Sequence, residues 1–520
     1  MSYAFQFMLQ SQLNRVVSPL LTQHAPFCQR YFTGLVLTGQ YESSDSNKIQ
    51  LSQCAKNFDS KVASKLSELA AISKISKCRT FYGLHEDYPV VTLSVVEDSQ
   101  NSKKLLEYDV ASRHCISESI RTAIGTGVSA LRSDKSIDQI EVDSAGNAKA
   151  ASEGALLALY SYDALKTEKQ PAPILSQCKL MDLPDACVKD WENGLVNAKS
   201  QNIARHLMET PGNHMTPRLF VEALKNKVEE EYAGRVTLVV RDKDWIMEQK
   251  MGSFLSVAKG SEEPPFLLEI HYKNSDSSPI CLVGKGVTFD TGGISIKPSK
   301  GMDAMRADMG GAACVAGATL GAASLNLPIN LITLIPLCEN MPSGCATKPG
   351  DVVTAMNGKT IQIDNTDAEG RLILADALTY ADSFDPSVVI DMATLTGAMA
   401  VALGGECVGT YSTCNDLWNT LEKGGFISGD RLWRMPLFKE YGDLLKSATA
   451  DINNISSAPY GGSITAAKFL QNFVECKSWA HLDIAGVMDS TSSMSYLPKG
   501  MSGRPTRSII EALRLMSLEK

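Results

Sequence analysis

The sequence predicts an α/β protein in which a smaller N-terminal α/β domain is joined by a long helix to a larger α/β domain with a mostly parallel central sheet. A chain of 520 residues that is 44% hydrophobic can bury more than one large core. Apolar runs alternate with segments of helical periodicity along most of its length. The runs in the C-terminal part are strongly apolar, which is typical of parallel strands covered on both faces.

The N-terminal α/β domain is predicted over residues 33–170. Its first strand is Gly34 to Thr38, with the sequence GLVLT, and a later strand covers Val90 to Val95. Segments with helical periodicity follow at Ala111 to Ile124 and at Ala150 to Leu165. This alternation of strands and helices indicates a compact α/β unit of its own.

A linker region is predicted over residues 171–210, and it is dominated by one helix from Asp185 to Met208. Apolar residues recur there at roughly helical spacing, and the pattern stops before the breaker cluster Pro211-Gly212-Asn213. Thr216 and Pro217 then fit the N-cap and the first position of the next helix.

The larger domain is predicted over residues 211–520. Helical patterns at Ala312 to Leu325 and Arg371 to Ser383 lie among its strands. Ligands of mostly parallel sheets bind outside the carboxyl ends of the strands, so the functional residues are expected at those ends. The predicted strands are Val236 to Val240, Phe266 to Tyr272, Ile280 to Val283, Asn330 to Leu337 and Val388 to Met392.

Composition excludes several classes of protein. The formal net charge is −8, which disfavours a protein that coats nucleic acid. The 13 cysteines include no CxxC pair, so neither a zinc finger nor a disulfide framework is indicated, and an intracellular location is favoured. The most membrane-like stretch, Val388 to Gly405, contains Asp391 and many small residues, which favours a buried strand over a membrane span.

The N-terminal extension, residues 1–32, has two interpretations. It carries Arg15 and Arg30, and no Asp or Glu occurs before Glu42. An acid-poor, arginine-bearing start is typical of a mitochondrial transit peptide. Two arginines in this length are weak evidence for targeting, so an extension that has no targeting role is the favoured interpretation.

Common catalytic signatures are missing from the sequence. It has no GxxxxGK[ST] phosphate loop, no GxSxG elbow and no HExxH motif. Gly284-Lys285-Gly286 follows a strand, but Phe289 stands at the third glycine position of a dinucleotide fingerprint. These absences disfavour a nucleotide-binding site and a serine nucleophile, so the catalytic residues are sought among the acidic residues.

Acids and bases instead concentrate in three glycine-containing blocks, residues 283–299, 305–313 and 365–372. Each block falls where a strand ends or a helix begins, so all three can meet at one edge of a parallel sheet. Asp367 and Glu369 are two positions apart, which would point both side chains the same way if the segment is extended. The charged residues of the blocks are Lys285, Asp290, Lys297, Asp308, Asp367, Glu369 and Arg371.

The charge of these blocks predicts a metal site. Four carboxylates buried together could not all stay ionised without compensation. Two divalent cations supply that compensation, and oxygen-rich ligands suit hard or borderline ions. Lys285 and Lys297 could each donate a neutral amine to a cation or remain ammonium ions that stabilise an anion. The guanidinium of Arg371 suits a carboxylate-type anion.

Simpler roles are open to each residue taken alone. Asp308 could be an ordinary N-cap at a strand-to-helix junction. Arg371 could pair with Glu369, and Lys285 could be a solvated surface lysine. Three glycine-flanked blocks with this many charges fit independent roles poorly, which favours a joint metal site.

The same blocks resemble the leucyl aminopeptidase family. The segment NTDAEGRL, residues 365–372, looks like the signature of that family, and residues 283–313 resemble its metal- and lysine-bearing segment nearly throughout. Three C-terminal segments extend the likeness, which covers roughly residues 200–515, whereas the first 170 residues resemble the family weakly. These segments are residues 465–474, 479–488 and 499–507.

The resemblance implies a two-metal centre. Asp290 and Glu369 would bridge the two ions, Asp367 would complete one site, and Lys285 and Asp308 would complete the other. The implied cofactors are two divalent metal ions per subunit, zinc at both sites with one site exchangeable with manganese or magnesium, together with a bicarbonate ion.

The resemblance also implies the catalytic groups and the substrate pocket. Lys297 would stay protonated and stabilise the oxyanion, and Arg371 would hold the bicarbonate as general base. The pocket for the substrate side chain is apolar and lacks a fixed charge. The implied substrate-binding residues are Met305, Asn365, Thr394, Gly397, Ala485 and Met488.

The function implied by the resemblance is that of a metalloexopeptidase, a hydrolase that releases N-terminal amino acids from peptides with a free amine. The apolar pocket predicts a preference for Leu, Met and similar residues. The family's fold places a catalytic α/β domain after the linker helix and assembles as a homohexamer, and the implied location is the cytoplasm, with no membrane partner. Rival hypotheses are an aminopeptidase that also binds DNA, which the net charge disfavours, and a two-metal phosphoesterase, which the apolar pocket disfavours.

Overall fold

A computed structural model gives the structure of residues 32–42, 48–97, 116–169, 172–177, 185–490 and 494–518. The chain divides into two compact units, the first ending at Ala198 and also including Ser492–Pro498, the second formed by Lys199–Thr491 and Lys499–Lys520. The predicted domain limits at residues 170 and 210 stay predictions. The predicted extension, residues 1–32, lies outside the described residues except for Phe32, where the first strand begins.

The first unit contains a mixed sheet with the strand order β3-β4-β1-β5-β6, and β2 pairs with β1. β1 is parallel to both β4 and β5, and the predicted strand at Gly34 to Thr38 lies inside it. Helices pack on both faces of this sheet through two apolar cores. The strands are β1 (Phe32–Tyr41), β2 (Ile49–Leu51), β3 (Cys78–Tyr82), β4 (Val90–Val95), β5 (Ile137–Val142) and β6 (Ile174–Gln177), and the helices are α1 (Gln53–Phe58), α2 (Ser60–Ile72), α3 (Ile116–Arg132) and α4 (Ala148–Ala158).

Two helices of this unit differ from the predicted spans. The pattern at Ala111 to Ile124 begins outside the described residues, and α3 continues to Arg132. The predicted helix at Ala150 to Leu165 was wrong at its end, because α4 stops at Ala158. The guanidinium of Arg132 donates to the carbonyls of Ala158 at 3.0 Å and Tyr160 at 2.9 Å, and it thereby caps the end of the helix.

The long helix predicted at Asp185 to Met208 is α5 (Asp185–Glu209), and the chain passes from the first unit to the second within it. The next helix, α6 (Pro217–Glu231), has Pro217 at its start and Thr216 at the N-cap position. The Thr216 hydroxyl makes no capping hydrogen bond, so the expected boundary is correct while the expected bond is absent.

The second unit is built on a large sheet with the order β16-β15-β18-β14-β9-β11-β8-β7, and β10 pairs with β11. The central strands β18, β14, β9 and β11 are parallel to one another. At one edge β8 pairs antiparallel with β11 and with β7, and towards the other edge β15 pairs antiparallel with β18. The predicted mostly parallel sheet is therefore confirmed. The strands are β7 (Val236–Arg241), β8 (Phe266–Lys273), β9 (Ile280–Gly284), β10 (Gly286–Asp290), β11 (Asn330–Asn340), β14 (Val388–Ala393), β15 (Val408–Ser412), β16 (Leu432–Arg434) and β18 (Trp479–Asp483).

Helices cover both faces of this sheet, as the strongly apolar strands predict. Alternate residues of β9 point to opposite faces, so Leu282 joins one apolar core and Val283 joins the other. The helices are α7 (Lys243–Glu248), α8 (Gly252–Ala258), α9 (Gly310–Ser324), α10 (Gly370–Asp382), α11 (Gly397–Leu403), α12 (Asn415–Ser428), α13 (Glu440–Asp443), α14 (Gly462–Leu470) and α15 (Thr506–Leu518).

Two small sheets complete the second unit. β12 (Asp351–Thr354), β13 (Thr360–Ile363) and β17 (Ile452–Asn453) form one, and β19 (Asp489–Ser490) pairs with β20 (Gly500–Met501) in the other. No helix among the described residues is long and apolar enough to span a membrane.

Candidate metal centre

The carboxyl ends of the central strands carry the first predicted site residues. Lys285 directly follows β9, Asp290 is the last residue of β10, and Thr394 directly follows β14. Parallel strands bring their carboxyl ends to one edge of a sheet, which is where ligand sites of such sheets form. The sequence-based placement of these residues is therefore what the topology requires.

Two glycines after β10 allow the chain to turn back over the site. Gly292 and Gly293 have φ angles of +88° and +65°, a region that favours glycine. A Cβ atom on Gly292 would lie 2.5 Å from the carbonyl oxygen of Ser295 and 2.7 Å from a carboxylate oxygen of Asp367. A side chain at this position would therefore displace a predicted metal ligand.

Asp308 lies between a short 3-10 helix, Met302–Ala307, and α9. Its side chain caps neither helix. One carboxylate oxygen lies 2.7 Å from the Lys285 ammonium and accepts a hydrogen bond of 2.7 Å from the Thr394 hydroxyl. The other oxygen is buried and has no hydrogen-bond partner among the residues that the structure describes. The N-cap interpretation of Asp308 is thus wrong, and its carboxylate faces the predicted centre.

The segment with Asp367 and Glu369 is a turn rather than the extended segment we expected. The amide of Asp367 donates to the Asn365 side chain at 2.8 Å, and the amide of Ala368 donates to the Asn365 carbonyl at 3.2 Å. An asparagine side chain that accepts from the amide two residues ahead stabilises such a turn. Glu369 then occupies the N-cap position of α10.

These segments bring the acidic residues together. Asp290, Asp367 and Glu369 each offer a carboxylate oxygen, and these oxygens lie within 4.8 Å of one another. Lys285 Nζ lies 2.7 Å from Asp308 and 2.7 Å from Glu369. The second lysine of the centre, at position 297, contacts the carboxylates of Asp290 and Asp367 in the same way. The two lysines thus divide four carboxylates into two pairs.

The electrostatics of the centre favour added positive charge. Burial raises the pKa of Asp290, Asp308 and Asp367 above the ordinary aspartate value, because a carboxylate is disfavoured where water is excluded. Burial acts to lower the pKa of both lysines, but the surrounding carboxylates outweigh it, and both pKa values are raised. Four carboxylates face two lysines, so the cluster can accept further cations.

The donor set fits divalent metal ions. Carboxylate oxygens of Asp290, Asp367 and Glu369 converge, and Lys285 links Asp308 to Glu369. One oxygen of Asp308 is buried with no hydrogen-bond partner in the described ranges. A buried acceptor without a partner is costly, and a cation would satisfy it. Lys285 would have to lose its proton to act as a ligand, whereas its present contacts are those of an ammonium ion.

Arg371 is buried in the first turn of α10 and does not pair with Glu369 in the described part of the chain. Its Nη1 donates to the carbonyl of Asn454 at 2.7 Å, and its Nε has no hydrogen-bond partner among the described residues. Burial lowers the pKa of Arg371 to about 10, although the nearby charges of Glu369 and Asp483 oppose this. A buried guanidinium with an unused donor fits a small anion.

The predicted substrate-binding residues lie in different environments. Thr394 is buried, and its hydroxyl donates to the Asp308 carboxylate. The side-chain oxygen of Asn365 accepts from the amide of Asp367. Gly397 is exposed at the start of α11. A Cβ atom on Gly397 would meet no atom within 4 Å, so the space beside it is open. The other three are half-buried, namely Met305, Ala485 and Met488.

Sequence reasoning missed three buried polar residues that support the centre. Asn340 ends β11 and donates to Asp290 at 2.8 Å and to the Thr366 carbonyl at 3.0 Å. Asp483 ends β18 and accepts from the amides of Leu395 and Ala485, so it joins the two segments that carry the predicted pocket. The third is Asn454. A polar residue at the end of an apolar strand was the signal for the first two.

Comparison with known proteins decides the family. Residues 202–510 match the catalytic domain of the cytosol aminopeptidase family, and residues 111–169 match its N-terminal domain. The chain is 51% identical over 488 residues to the cytosol aminopeptidase of Sus scrofa, a match that covers 92% of each chain. The chain belongs to the cytosol aminopeptidase family. It is therefore a metal-dependent aminopeptidase, and the resemblance recognised in the sequence is confirmed.

Solved structures agree with this membership. The bottromycin maturation enzyme BotP in complex with Mn is 29% identical and has a TM-score of 0.78, with 93% of this chain and 99% of that chain covered. A mutant of tomato leucine aminopeptidase is 27% identical, also with a TM-score of 0.78, and 95% of each chain is covered. The first of these similar proteins was solved with a transition metal.

Proposed function

We propose that this aminopeptidase releases N-terminal amino acids from peptides at the centre formed by Asp290, Asp308, Asp367 and Glu369. The observation that supports this most is the approach of three carboxylates to within 4.8 Å, with Asp308 joined to Glu369 through Lys285. The free amine of the substrate would bind at this centre, so a peptide with a blocked N-terminus would not be cleaved.

Two divalent metal ions would be held by these residues. Asp290 and Glu369 would contribute to both sites, Asp367 would complete one, and Lys285 and Asp308 would complete the other. Zinc would occupy both, with one site exchangeable with manganese or magnesium. When bound, such ions polarise a carbonyl and lower the pKa of water towards ~7.

Lys297 would stabilise the negative charge that develops on the scissile carbonyl. Its ammonium group lies 2.7 Å from Asp290 and contacts Asp367, while 22% of its side chain remains exposed. Burial acts to lower the pKa of this lysine, but the carboxylates around it outweigh burial and raise that pKa, which favours the ammonium form. A fixed cation aimed at a developing oxyanion is the electrostatic contribution that usually dominates in hydrolases.

Arg371 would hold a bicarbonate ion that serves as general base. Its buried guanidinium donates to the Asn454 carbonyl, and within the part of the chain that the structure describes its Nε has no hydrogen-bond partner. A planar guanidinium binds a planar oxyanion through two parallel hydrogen bonds, which would also fix its orientation next to Glu369.

Apolar side chains would be preferred at the substrate N-terminus. The half-buried residues Met305 and Met488 are flexible and apolar, and no charged residue belongs to the predicted pocket set. A Leu or Met side chain would bury apolar area there, whereas an Asp side chain would lose its hydration without gaining a partner.

We also propose a homohexamer in the cytoplasm. Both proposals rest on the implied properties of the family and on the word cytosol in the names of the relatives. Analytical ultracentrifugation of the full chain tests the first, with six chains per particle as the expected result. Localisation of the full chain with a C-terminal fluorescent tag tests the second, and import into mitochondria would instead support a targeting role for residues 1–32.

Hydrolysis of leucine amide by the purified chain tests the proposed function. We expect turnover that is lost after chelation, restored by zinc or manganese, and absent with N-acetyl-leucine amide. The variant Asp367→Asn should be inactive, whereas Asp364→Asn, three residues earlier in the same segment, should keep wild-type turnover because Asp364 pairs with Gln362. Wild-type turnover in Asp367→Asn, or preferential hydrolysis of a phosphate ester, would contradict the proposal.

A further inference from the structure

Asn454 uses the whole hydrogen-bonding capacity of its side chain on the segment that leads to Asp367 and Glu369. Its side-chain oxygen accepts from the amides of Asp364 at 2.9 Å and Asn365 at 3.3 Å. Its side-chain nitrogen donates to the carbonyls of Asn365 at 2.7 Å and Ala368 at 3.3 Å. Asn454 is fully buried, so water cannot replace these bonds without a rearrangement.

The backbone of Asn454 reaches the other half of the centre. Its carbonyl accepts the 2.7 Å hydrogen bond from Arg371, and its amide donates to the carbonyl of Gln362 at 2.9 Å. One residue therefore touches both the turn with the predicted metal ligands and the guanidinium that would hold the anion. It follows β17 directly, and that strand pairs with β13 just before the turn.

The turn has few bonds of its own to keep its shape. Within residues 365–368, the hydrogen bonds are the two that Asn365 accepts from Asp367 and Ala368. Thr366 ties the turn to the loop after β10 through Gly292 and Ser295. Asn340 also holds the turn, through the Thr366 carbonyl at 3.0 Å. Asn454 is the anchor for Asp364, Asn365 and Ala368, and its loss would leave half-buried amides and carbonyls without these partners, which is costly.

We propose that Asn454 is a positioning residue that holds the metal-binding turn and Arg371 in one fixed arrangement. This inference rests on the proposed function, because it concerns the alignment of the metal ligands with the anion-binding arginine. Groups that orient metal ligands commonly change metal affinity 10–100-fold when they are removed. Metal binding and bicarbonate binding would therefore both depend on Asn454, although its side chain would contact neither the metal ions nor the bicarbonate.

The test compares Asn454→Asp and Asn454→Ala with the control Asn453→Asp. Asp keeps the size of Asn454 and the acceptor for two amides, but it turns an oxygen towards two carbonyls. Asn453 is the neighbouring residue on β17, and its side-chain oxygen accepts no hydrogen bond from any residue that the structure describes. For each variant, zinc affinity is measured by competition with a chelator, and turnover is measured with and without bicarbonate.

We expect zinc affinity at least about tenfold weaker in both Asn454 variants, a smaller response to bicarbonate, and wild-type values in Asn453→Asp. Asp376→Asn distinguishes a role in stability alone. Asp376 is also buried on α10, but it accepts from the amides of Phe254 and Met356 and not from an amide of the turn. That variant should lose stability and keep its zinc affinity. Zinc affinities in the Asn454 variants equal to that of Asn453→Asp would overturn the inference.

Hydrogen exchange decides the question even if the variants fold poorly. In the wild-type protein, the amides of Asp364 and Asn365 should exchange far more slowly than those of exposed loops, because Asn454 accepts from both. Fast exchange at these amides would overturn the inference. A wild-type chain that binds no metal while these amides stay protected would instead count against the proposed function.

Discussion

Replacing Lys285 or Lys297 by methionine should damage the centre in two different ways. Both lysines bridge carboxylates, but 3% of the Lys285 side chain is exposed against 22% for Lys297. Lys285 Nζ lies within 2.8 Å of Asp308, Glu369 and the carbonyl of Thr394. Lys285→Met removes a predicted metal ligand, whereas Lys297→Met removes a group that would face the substrate.

The burial of Lys285 sets the size of the effect. Removing one partner from a buried ion pair costs about 3–5 kcal/mol, because the remaining charge is left without compensation. Part of this cost is avoided when one carboxyl takes up a proton, and burial already raises the pKa of Asp308. A protonated Asp308 is a poor ligand, so we expect one metal to bind about 100-fold more weakly, which corresponds to ~2.7 kcal/mol.

Lys297→Met should instead leave metal affinity within about tenfold of wild type and lower kcat by about 10²–10³, the usual cost of losing one oxyanion donor. The assay is mass-spectrometric metal analysis after dialysis against a buffered chelator, together with kcat for leucine amide at saturating metal. Lys348→Met is the control, because Lys348 is exposed and pairs with Asp351, which is not one of the predicted metal ligands. Equal metal loss in Lys285→Met and Lys297→Met would refute this division of roles.

Three further predictions follow from the site and its surroundings. Leucine and methionine amides should be cleaved at least about tenfold faster than aspartate amide in kcat/KM, a difference of ~1.4 kcal/mol; equal values would rule out the apolar pocket. Arg371→Met should lose any stimulation by added bicarbonate when turnover is measured in carbonate-free buffer, and an unchanged response would contradict the role of Arg371. Burial acts to lower the pKa of His481, but the Asp391 carboxylate, 2.5 Å from Nδ1, outweighs it and raises that pKa. The resulting stabilisation is complete below the unfolded-state pKa of about 6.5 and is lost as the pH rises through the higher folded-state pKa. The urea midpoint should therefore fall with pH over this range, and the fall should be smaller in Asp391→Asn; equal slopes would contradict the assignment.

The architecture was accessible from the sequence because the strands of the large sheet are strongly apolar. Val388 to Met392 and Ile280 to Val283 were predicted within one residue of β14 and β9. Parallel order then places Lys285 and Asp290 at one edge of the sheet, so the neighbourhood of these residues follows from topology.

Local geometry at the site was less accessible. The side chain of Asn365 accepts a hydrogen bond from the amide of Asp367, and this bond bends the segment. The two-residue spacing of Asp367 and Glu369 does not reveal such a bond. Asp308 resembles an N-cap in sequence, yet Lys285 and Thr394 hold its carboxylate from distant parts of the chain. Asn454 contacts a turn 86–90 residues earlier in the sequence, and no local pattern marks such a partner.

A metal titration of the purified, metal-free chain tests the central claim most directly. Zinc binding is followed by calorimetry while leucine amide hydrolysis is measured on the same samples. The two-metal centre predicts that the wild-type chain binds two equivalents of zinc and becomes active only as the two sites fill. The variant Glu369→Gln should bind fewer than two equivalents and should show no turnover. Full turnover without added metal, or a single equivalent bound in the fully active enzyme, would contradict it.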